Sequence, residues 1–171
     1  QAKAQDIAIN AKDDIGMTAF IYACANGLTA IVAMMLEMAQ EVKIDFNAQS
    51  NCNLCKVTGF VYACINKNSE VINLILAKAE SLQIDLQAKD EYGKSGFIWA
   101  CDNGLTDIVA MMLEMAQEVK IDLNAKDYGK STGFIYACEN KHSEVINLLL
   151  AKAESLQIDL QAKDYRGRSG F

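Results

Sequence analysis

The apolar residues of this chain recur in blocks with helical spacing, separated by short polar stretches. The first long block consists of Ile31, Val32, Met35, Leu36 and Met38. These positions, near i, i+1, i+4, i+5 and i+7, fall on one broad face of a helix. Each such block begins beside a hydroxyl residue that is predicted to cap the helix, and these residues are Thr29, Ser69, Thr106 and Ser143.

A shorter helix is predicted before each of these blocks. Its N-cap is predicted at a Thr or Ser two positions before a phenylalanine, namely at Thr18, Thr58, Ser95, Thr132 and Ser169. About two turns later the helix is predicted to break at an asparagine dipeptide. The dipeptides are Asn26-Gly27, Asn66-Lys67, Asn103-Gly104 and Asn140-Lys141. Each unit is therefore predicted to contain a helix, a turn, a second helix and an extended polar loop.

The chain repeats itself with a period of 37 residues. A Tyr/Trp-Ala-Cys triplet occurs four times, two positions after Phe20, Phe60, Phe97 and Phe134, and Phe171 continues the series. The first interval is 40 residues, and its extra residues lie in "QSNCNLCKVTG". Units one and three share "MMLEMAQEVKID" while units two and four share "LAKAESLQIDLQAKD", so the order is ABAB.

At the level of motifs, "DDIGMTAFIYACANGLTAIVAMML" resembles the pattern of the ankyrin repeat family, with Gly16, Thr18, Ala23, Gly27 and Leu36 among the matching residues. The resemblance implies an all-α fold, an ankyrin-repeat solenoid of stacked helix-turn-helix units with hairpin-like loops. It places full repeats at about 14–49, 50–90, 91–127 and 128–164, with partial repeats at 1–13 and 165–171.

Two features depart from the family pattern. The T-P-L-H turn is replaced by "TAFI", "TGFV", "SGFI" and "TGFI", and the chain contains no proline. Without the fixed φ of proline, each first helix is expected to start less rigidly. The period exceeds the family's usual length of about 33 residues, which predicts about one more helical turn after "MMLEMAQEVKID".

Composition narrows the range of partners. The formal net charge is −6 and Lys and Arg do not cluster, so no nucleic acid is expected as a partner. The longest apolar run, "AIVAMML", is much shorter than the 18 or so residues of a membrane span, so no membrane is expected. No signal peptide opens the chain, and an intracellular, cytoplasmic location is expected.

The resemblance implies a non-catalytic scaffold that binds another protein through hairpin tips and the concave side of the first helices. Carried over by position, the tip residues are Asp14, Ile15, Met17, Glu91, Tyr92, Lys94, Tyr128, Lys130, Tyr165, Arg166 and Arg168. The first-helix residues are Ala25, Ile65, Asp102 and Glu139. Tyrosine and arginine are favoured in protein interfaces. The alternative is that these residues are solvated turn positions.

Two repeated groups allow either a structural or a binding role. Tyr22, Tyr62, Trp99 and Tyr136 form an aromatic column. We favour packing between neighbouring first helices, with hydroxyls at the edge, over a binding ladder on the concave face. The methionine triplets Met34/Met35/Met38 and Met111/Met112/Met115 are interpreted as core because they have helical spacing.

Catalysis is not expected, and neither a cofactor nor a metal is expected. The single histidine, His142, stands four residues after Cys138, which makes a Cys–His dyad conceivable. However, Cys138 occupies a repeated small-residue position shared with Cys24, Cys64 and Cys101, which indicates packing. By the resemblance, His142 is a structural residue of the helix–helix turn.

Cys52 and Cys55 form a C-x-x-C pair outside the repeat pattern. A structural zinc site needs four ligands, and this loop supplies two. A redox motif would need a βαβ context that is not predicted here. A local disulfide stays possible, and two exposed thiols in a lengthened loop are the favoured interpretation.

End-to-end self-association is the alternative to partner binding. Neither terminal unit carries the polar cap that repeat arrays need, so the leading face of unit one, around Phe20 and Ile31, and the final face of unit four are expected to be only partly covered. The other interpretation of the missing caps is that the sequence is part of a longer array. Contact between unlike ends would produce a filament unless it closed into a ring.

Overall fold

The computed structural model describes residues 8–51 and 56–170. This part of the chain contains eight α-helices and no β-strand. They are α1 (Ala19–Ala25), α2 (Thr29–Glu37), α3 (Gly59–Ile65), α4 (Ser69–Lys78), α5 (Gly96–Asp102), α6 (Thr106–Met115), α7 (Gly133–Glu139) and α8 (Ser143–Lys152). A short 3-10 helix, Met38–Gln40, follows α2. The helices form four consecutive pairs, numbered one to four below, and each pair is preceded by a hairpin-like loop.

The predicted ends of the first helices are confirmed. The side chains of Thr18, Thr58, Ser95 and Thr132 each accept a hydrogen bond from the backbone N–H three residues on. Each first helix ends at an asparagine, and the next residue has positive φ: Gly27, Lys67, Gly104 and Lys141. Ser169 is followed by one described residue only, so its helix stays a prediction.

The predicted caps of the second helices are wrong. These helices have their N-caps one residue earlier, at Leu28, Asn68, Leu105 and His142, and none of the four makes a side-chain capping bond. The residue with positive φ turns the chain so tightly that the second helix already begins at the hydroxyl residue. Thr29 Oγ1, for example, donates to the carbonyl of Gly27.

The pairs stack in chain order, with first helices packed on first helices and second helices on second helices. The core contains the four phenylalanines of the repeat, Phe20, Phe60, Phe97 and Phe134, all buried. Cys24, Cys64 and Cys101 are buried beside them and Cys138 is half-buried, which confirms the predicted packing role of these thiols.

The glycine at the start of the later first helices has a role that the sequence did not indicate. An added Cβ at Gly96 would lie 2.3 Å from Cε1 of Phe60. The same position in pair four, Gly133, would place a Cβ 2.9 Å from Sγ of Cys101. Glycine is therefore needed because each helix start lies directly against the preceding pair.

After each second helix the chain makes an additional turn, in the region where the longer period predicted one. In the last three pairs, the turn closes at a residue with positive φ, namely Gln83, Lys120 and Gln157. The next residue then bonds back to the helix end, as Ile84 N–H does to the carbonyl of Ala79 at 2.9 Å. This arrangement is a left-handed helix terminus.

An amide ladder, formed by Asn10, Asn47, Gln87 and Asn124, links these turns. Each side-chain amide donates to a backbone carbonyl of the following unit, and its oxygen accepts a backbone N–H from the same unit. For Asn47 these partners are the carbonyl of Gln83, at 3.0 Å, and the N–H of Asp85, at 2.7 Å. Neighbouring units are thus held in register by backbone recognition.

Candidate binding surface

Four of the hairpin-like loops are organised by an aspartate: Asp13, Asp90, Asp127 and Asp164. In the third hairpin, Asp90 Oδ1 accepts the N–H groups of Tyr92 and Lys94, both at 2.9 Å. The backbone closes the same turn, since Asp90 N–H donates to the carbonyl of Lys94. The aspartate thus fixes the tip by local hydrogen bonds, as Asx-turns do.

The third residue after each aspartate has positive φ. It is Gly16, Gly93 and Gly167 in three hairpins, and Lys130 in the fourth, with φ of 63°. The two residues between the aspartate and this position form the outward end of the hairpin. In hairpin three these two residues are Glu91 and Tyr92.

The aromatic column ties each first helix to its own hairpin. The hydroxyl of Tyr22 donates to Asp13 at 2.6 Å, Trp99 Nε1 donates to Asp90 at 2.8 Å, and Tyr136 donates to Asp127 at 2.7 Å. The predicted structural role is thus supported, but the polar ends bind an aspartate and are not simply at the edge. In pair two, Ser50 replaces the aspartate and its Oγ lies 3.4 Å from the hydroxyl of Tyr62.

Neighbouring tips contact each other through backbone hydrogen bonds and tyrosine rings. The N–H of Tyr128 donates to the carbonyl of Tyr92 at 3.0 Å, and that of Tyr165 donates to Gly129 at 2.9 Å. The Tyr128 ring lies against Gly93, where an added Cβ would be 2.9 Å from Cδ1 of the ring. The tips of hairpins three to five therefore form one continuous ridge that carries aromatic side chains.

Most of the predicted tip residues are exposed. Tyr92, Tyr128 and Tyr165 are 61%, 79% and 62% exposed, and Asp14, Ile15, Lys130 and Arg166 are also exposed, whereas Glu91 is half-buried. Met17 requires a correction, because it is only 7% exposed and packs with Ile21 and Ala48. The fourth position after the aspartate is turned back toward the first helix.

Lys94 and Arg168 occupy this same fourth position and are engaged within the chain. Lys94 Nζ lies 2.8 Å from Asp102 Oδ2, and both side chains are mostly buried. Arg168 lies 2.6 Å from Asp164 and 2.8 Å from Glu139. Burial raises the pKa of Asp164, but hydrogen bonds from the backbone N–H and guanidinium of Arg168 and from the N–H of Arg166 outweigh it, so the pKa is lowered. Of the predicted set, Lys94, Asp102, Glu139 and Arg168 thus already have ionic partners.

The concave side of the first helices exposes less side-chain surface than predicted. Ala25 and Ile65 are half-buried, and Ile65 packs against the core. The sequence did not indicate that polar residues of one pair cap the preceding first helix. Asn68 donates to the carbonyl of Cys24 at 2.8 Å, and His142 Nε2 lies 2.9 Å from the carbonyl of Asp102. His142 thus has the structural position that the resemblance implied.

Cys52 and Cys55 lie outside the described residues, so the predictions about them stay predictions. Among the residues that are described, no three His, Cys, Asp or Glu side chains are close enough to share a metal ion. In the same part of the chain, no helix has the length and apolarity to cross a membrane.

A groove of about 520 Å³ lies between hairpins two and three. Its lining includes Lys56, Lys89, Tyr92 and Tyr128, together with Gln49, Asp90 and Glu91. The groove thus combines aromatic surface with both kinds of charge.

Comparison with known proteins shows which protein family and which solved structures this fold resembles. A family model described as ankyrin repeats (3 copies) matches residues 60–164, more than half of the chain. The fold is similar to that of the ankyrin repeat domain of Bcl-3, described as a unique member of the IkappaB protein family, with a TM-score of 0.73 and 21% identity. That match covers 95% of this chain and 65% of the Bcl-3 chain.

A second solved structure, EF0377, described as an ankyrin repeat protein, gives a TM-score of 0.76 at 21% identity. The match covers 95% of this chain and 75% of that one. No curated protein sequence matches the chain. The predicted helical repeat solenoid is confirmed, and at these identities the solved structures establish the fold alone.

Proposed function

The chain belongs to the ankyrin repeat family, and on this premise we propose that it is a non-catalytic scaffold that binds another protein through its hairpin tips and concave face. Ankyrin repeats are generally protein–protein interaction modules. The observation that carries the proposal is the row of exposed tyrosines, Tyr92, Tyr128 and Tyr165, on tips fixed by local hydrogen bonds.

This row has the properties that favour binding. Tyrosine offers a large contact area with few rotatable bonds, and it is enriched at the centre of protein interfaces. The backbone beneath Tyr128 and Tyr165 is already bonded to the preceding hairpin. Little conformational entropy is therefore lost when a partner contacts the ridge.

The test uses the chain as bait, with a tip variant in which Tyr92, Tyr128 and Arg166 are replaced by alanine. A partner retained by the wild type should bind the tip variant at least about tenfold more weakly, because interface anchors contribute about 2 kcal/mol or more each. The melting temperature should change little, since these side chains are exposed.

A matched control replaces exposed residues of the second helices, Lys78, Glu114 and Lys152, by alanine and should retain the partner. Unfolding of the tip variant would assign the tip residues to structure, and equal binding by both variants would show that the tips do not contact the partner; either result would contradict the proposal.

End-to-end self-association is the second candidate. Ile31 of pair one is 42% exposed, whereas Ile108, at the same position of pair three, is 1% exposed beside pair two. Pairs two and four share most of their sequence, so pair four of a second copy offers a surface like the one that covers Ile108. Light scattering across a concentration series tests this: a constant single-chain mass excludes it, and a mass that rises with concentration supports it.

A further inference from the structure

The hairpins of pairs three and four, and the hairpin that follows them, carry a set of cations that the sequence does not show as a cluster. We define the basic ridge as the five exposed cations Lys89, Lys126, Lys130, Lys163 and Arg166. They come from three separate hairpins, whose tips also carry Tyr92, Tyr128 and Tyr165 and are joined by backbone hydrogen bonds.

The carboxylates of the same three hairpins are engaged in the turns. Asp90 and Asp164 are buried, and Asp127 accepts hydrogen bonds from the N–H of Ser131 and the hydroxyl of Tyr136. Glu91 is half-buried. Among the described residues, no ion pair is formed by any of the five ridge cations.

The hairpin at the other end of the row of tips exposes carboxylates instead of cations. Hairpin one presents Asp13 and Asp14, both exposed, and its single lysine, Lys12, donates to the carbonyl of Gln49 at 2.9 Å. Hairpin one thus carries two exposed carboxylates, whereas the five exposed cations lie on hairpins three to five, although the whole chain carries a net charge of −6. A local basic ridge on an acidic chain selects for a local acidic contact.

We propose that the basic ridge docks an acidic, extended segment of a partner protein, with the tyrosine rings packing against its apolar side chains. This inference rests on the proposed function and specifies the chemistry of the partner. A protein segment is favoured over a nucleic acid because the remaining acidic surface repels a long polyanion, whereas a short acidic stretch contacts the ridge alone. The segment should lie along hairpins three to five and leave hairpin one uncovered.

The ridge cations also suit the proposed orientation. The Arg166 guanidinium carbon lies 5.0 Å from the centre of the Tyr165 ring, so the cation is held beside an aromatic surface. Lys89 Nζ donates to the carbonyl of Lys126 at 2.9 Å, which places this ammonium between two hairpins. A carboxylate on the partner can thus contact cations from adjacent tips.

The experiment measures fluorescence anisotropy of a short labelled peptide in which glutamate alternates with leucine and serine. A second peptide has lysine in place of glutamate, and single-stranded DNA is the third probe. The ridge variant combines Lys126→Gln, Lys130→Asn and Lys163→Gln; asparagine is chosen because it tolerates the positive φ of Lys130. The control variant, Lys43→Gln, Lys78→Gln and Lys152→Gln, has the same net charge and alters exposed lysines away from the tips.

We expect the acidic peptide to bind the wild type and the control equally, and to bind the ridge variant about tenfold more weakly. Its affinity should fall as salt is added. The inference is overturned if the acidic peptide does not bind at low salt, if both variants lose it equally, or if the lysine peptide binds as tightly. Tighter binding of the DNA would overturn it in favour of a nucleic acid.

The failure of this inference is distinguishable from failure of the proposed function. A partner that is lost by the tyrosine tip variant but kept by the ridge variant would leave the scaffold function intact. It would show that the partner is recognised without acidic contacts.

Discussion

The ammonium nitrogen of Lys94 lies 3.8 Å from the centre of the Tyr136 ring, which belongs to the next helix pair. The same nitrogen lies 4.3 Å from the centre of the Trp99 ring and 2.8 Å from Asp102 Oδ2. One side chain from hairpin three therefore bridges α5 and α7. Cation–π contacts contribute about 0.5–2 kcal/mol each, so this lysine is expected to stabilise the junction.

Replacing Lys94 by methionine should lower the free energy of unfolding by about 1–3 kcal/mol, because it leaves the mostly buried carboxylate of Asp102 without its cation. Methionine is a suitable replacement because Met17 occupies the same position in hairpin one. The measurement is urea denaturation followed by circular dichroism.

A double-mutant cycle with Asp102→Asn separates the ion pair from the ring contacts. If the pair is coupled, the double variant should be more stable than the sum of the single effects by about 1 kcal/mol. Strict additivity would mean that Lys94 acts only through Trp99 and Tyr136.

The substitution Gly96→Ala should destabilise the chain by about 1–3 kcal/mol, because its Cβ would overlap the ring of Phe60 in the preceding pair. Gly129→Ala is the matched control, since its nearest new contact is a carboxylate oxygen of Asp127 at 3.3 Å. We expect the control to stay within about 0.5 kcal/mol of the wild type. Comparable losses in the two variants would refute the steric explanation.

Removing one member of the amide ladder should weaken the array. Asn47→Ala deletes the bonds to Gln83 and Asp85, and a loss of about 1–2 kcal/mol is expected because two backbone groups lose their partner. Gln161 has the corresponding position after pair four, and among the described residues its side-chain amide makes no ladder bond. Gln161→Ala should therefore change the urea midpoint much less than Asn47→Ala.

Stability should fall at alkaline pH, partly through Tyr136. Burial raises the pKa of Tyr136, and the hydrogen bond to Asp127 raises it further, with smaller contributions from the charges of Asp127, Asp102 and Glu139. The folded state thus favours the protonated phenol. Its stabilising contribution is complete below the ordinary pKa of 10.0 and is lost as pH rises above it.

The Tyr136→Phe variant isolates this contribution. Urea midpoints are compared between about pH 8 and about pH 11, and the wild type should lose more stability over that range than the variant. Burial also raises the pKa of the Cys64 thiol, but this group titrates in both proteins and cancels in the comparison. Parallel curves would contradict the assignment to Tyr136.

The thiols should react in the order of their exposure. Burial raises the pKa of Cys24, Cys64 and Cys101, so little reactive thiolate is present and a thiol reagent cannot reach them without opening. Cys138, which is half-buried, should react before these three. We also expect Cys52 and Cys55 to react first of all; mass spectrometry after brief labelling gives the order, and all six should react together in urea.

The starts of the first helices could be predicted because they depend on local chemistry. A hydroxyl residue at Thr18 or Ser95 accepts an N–H three residues later, and this geometry requires no distant partner. The helix ends at Asn26 and Asn103 are equally local, since the next residue has positive φ. The repeat spacing then determines the stacking order.

The parts of the surface that were mispredicted depend on contacts between units. Met17 and Lys94 stand at the same hairpin position, yet whether such a side chain is exposed depends on what the adjacent first helix presents. Similarly, position 96 requires glycine because the ring of Phe60, in the preceding pair, lies against it. Spacing along one unit contains no information about these contacts.

The amide ladder has a consequence for how such a chain can change in length. Asn10, Asn47, Gln87 and Asn124 make the same two bonds to the unit that follows. Units one and three are of one kind and units two and four of the other. Deleting or duplicating two consecutive units, one of each kind, therefore creates a junction whose amide and backbone hydrogen-bonding groups already occur elsewhere in the chain. Changes of length in multiples of this double unit keep the two kinds of unit in alternation, whereas loss of a single internal unit places two units of the same kind side by side.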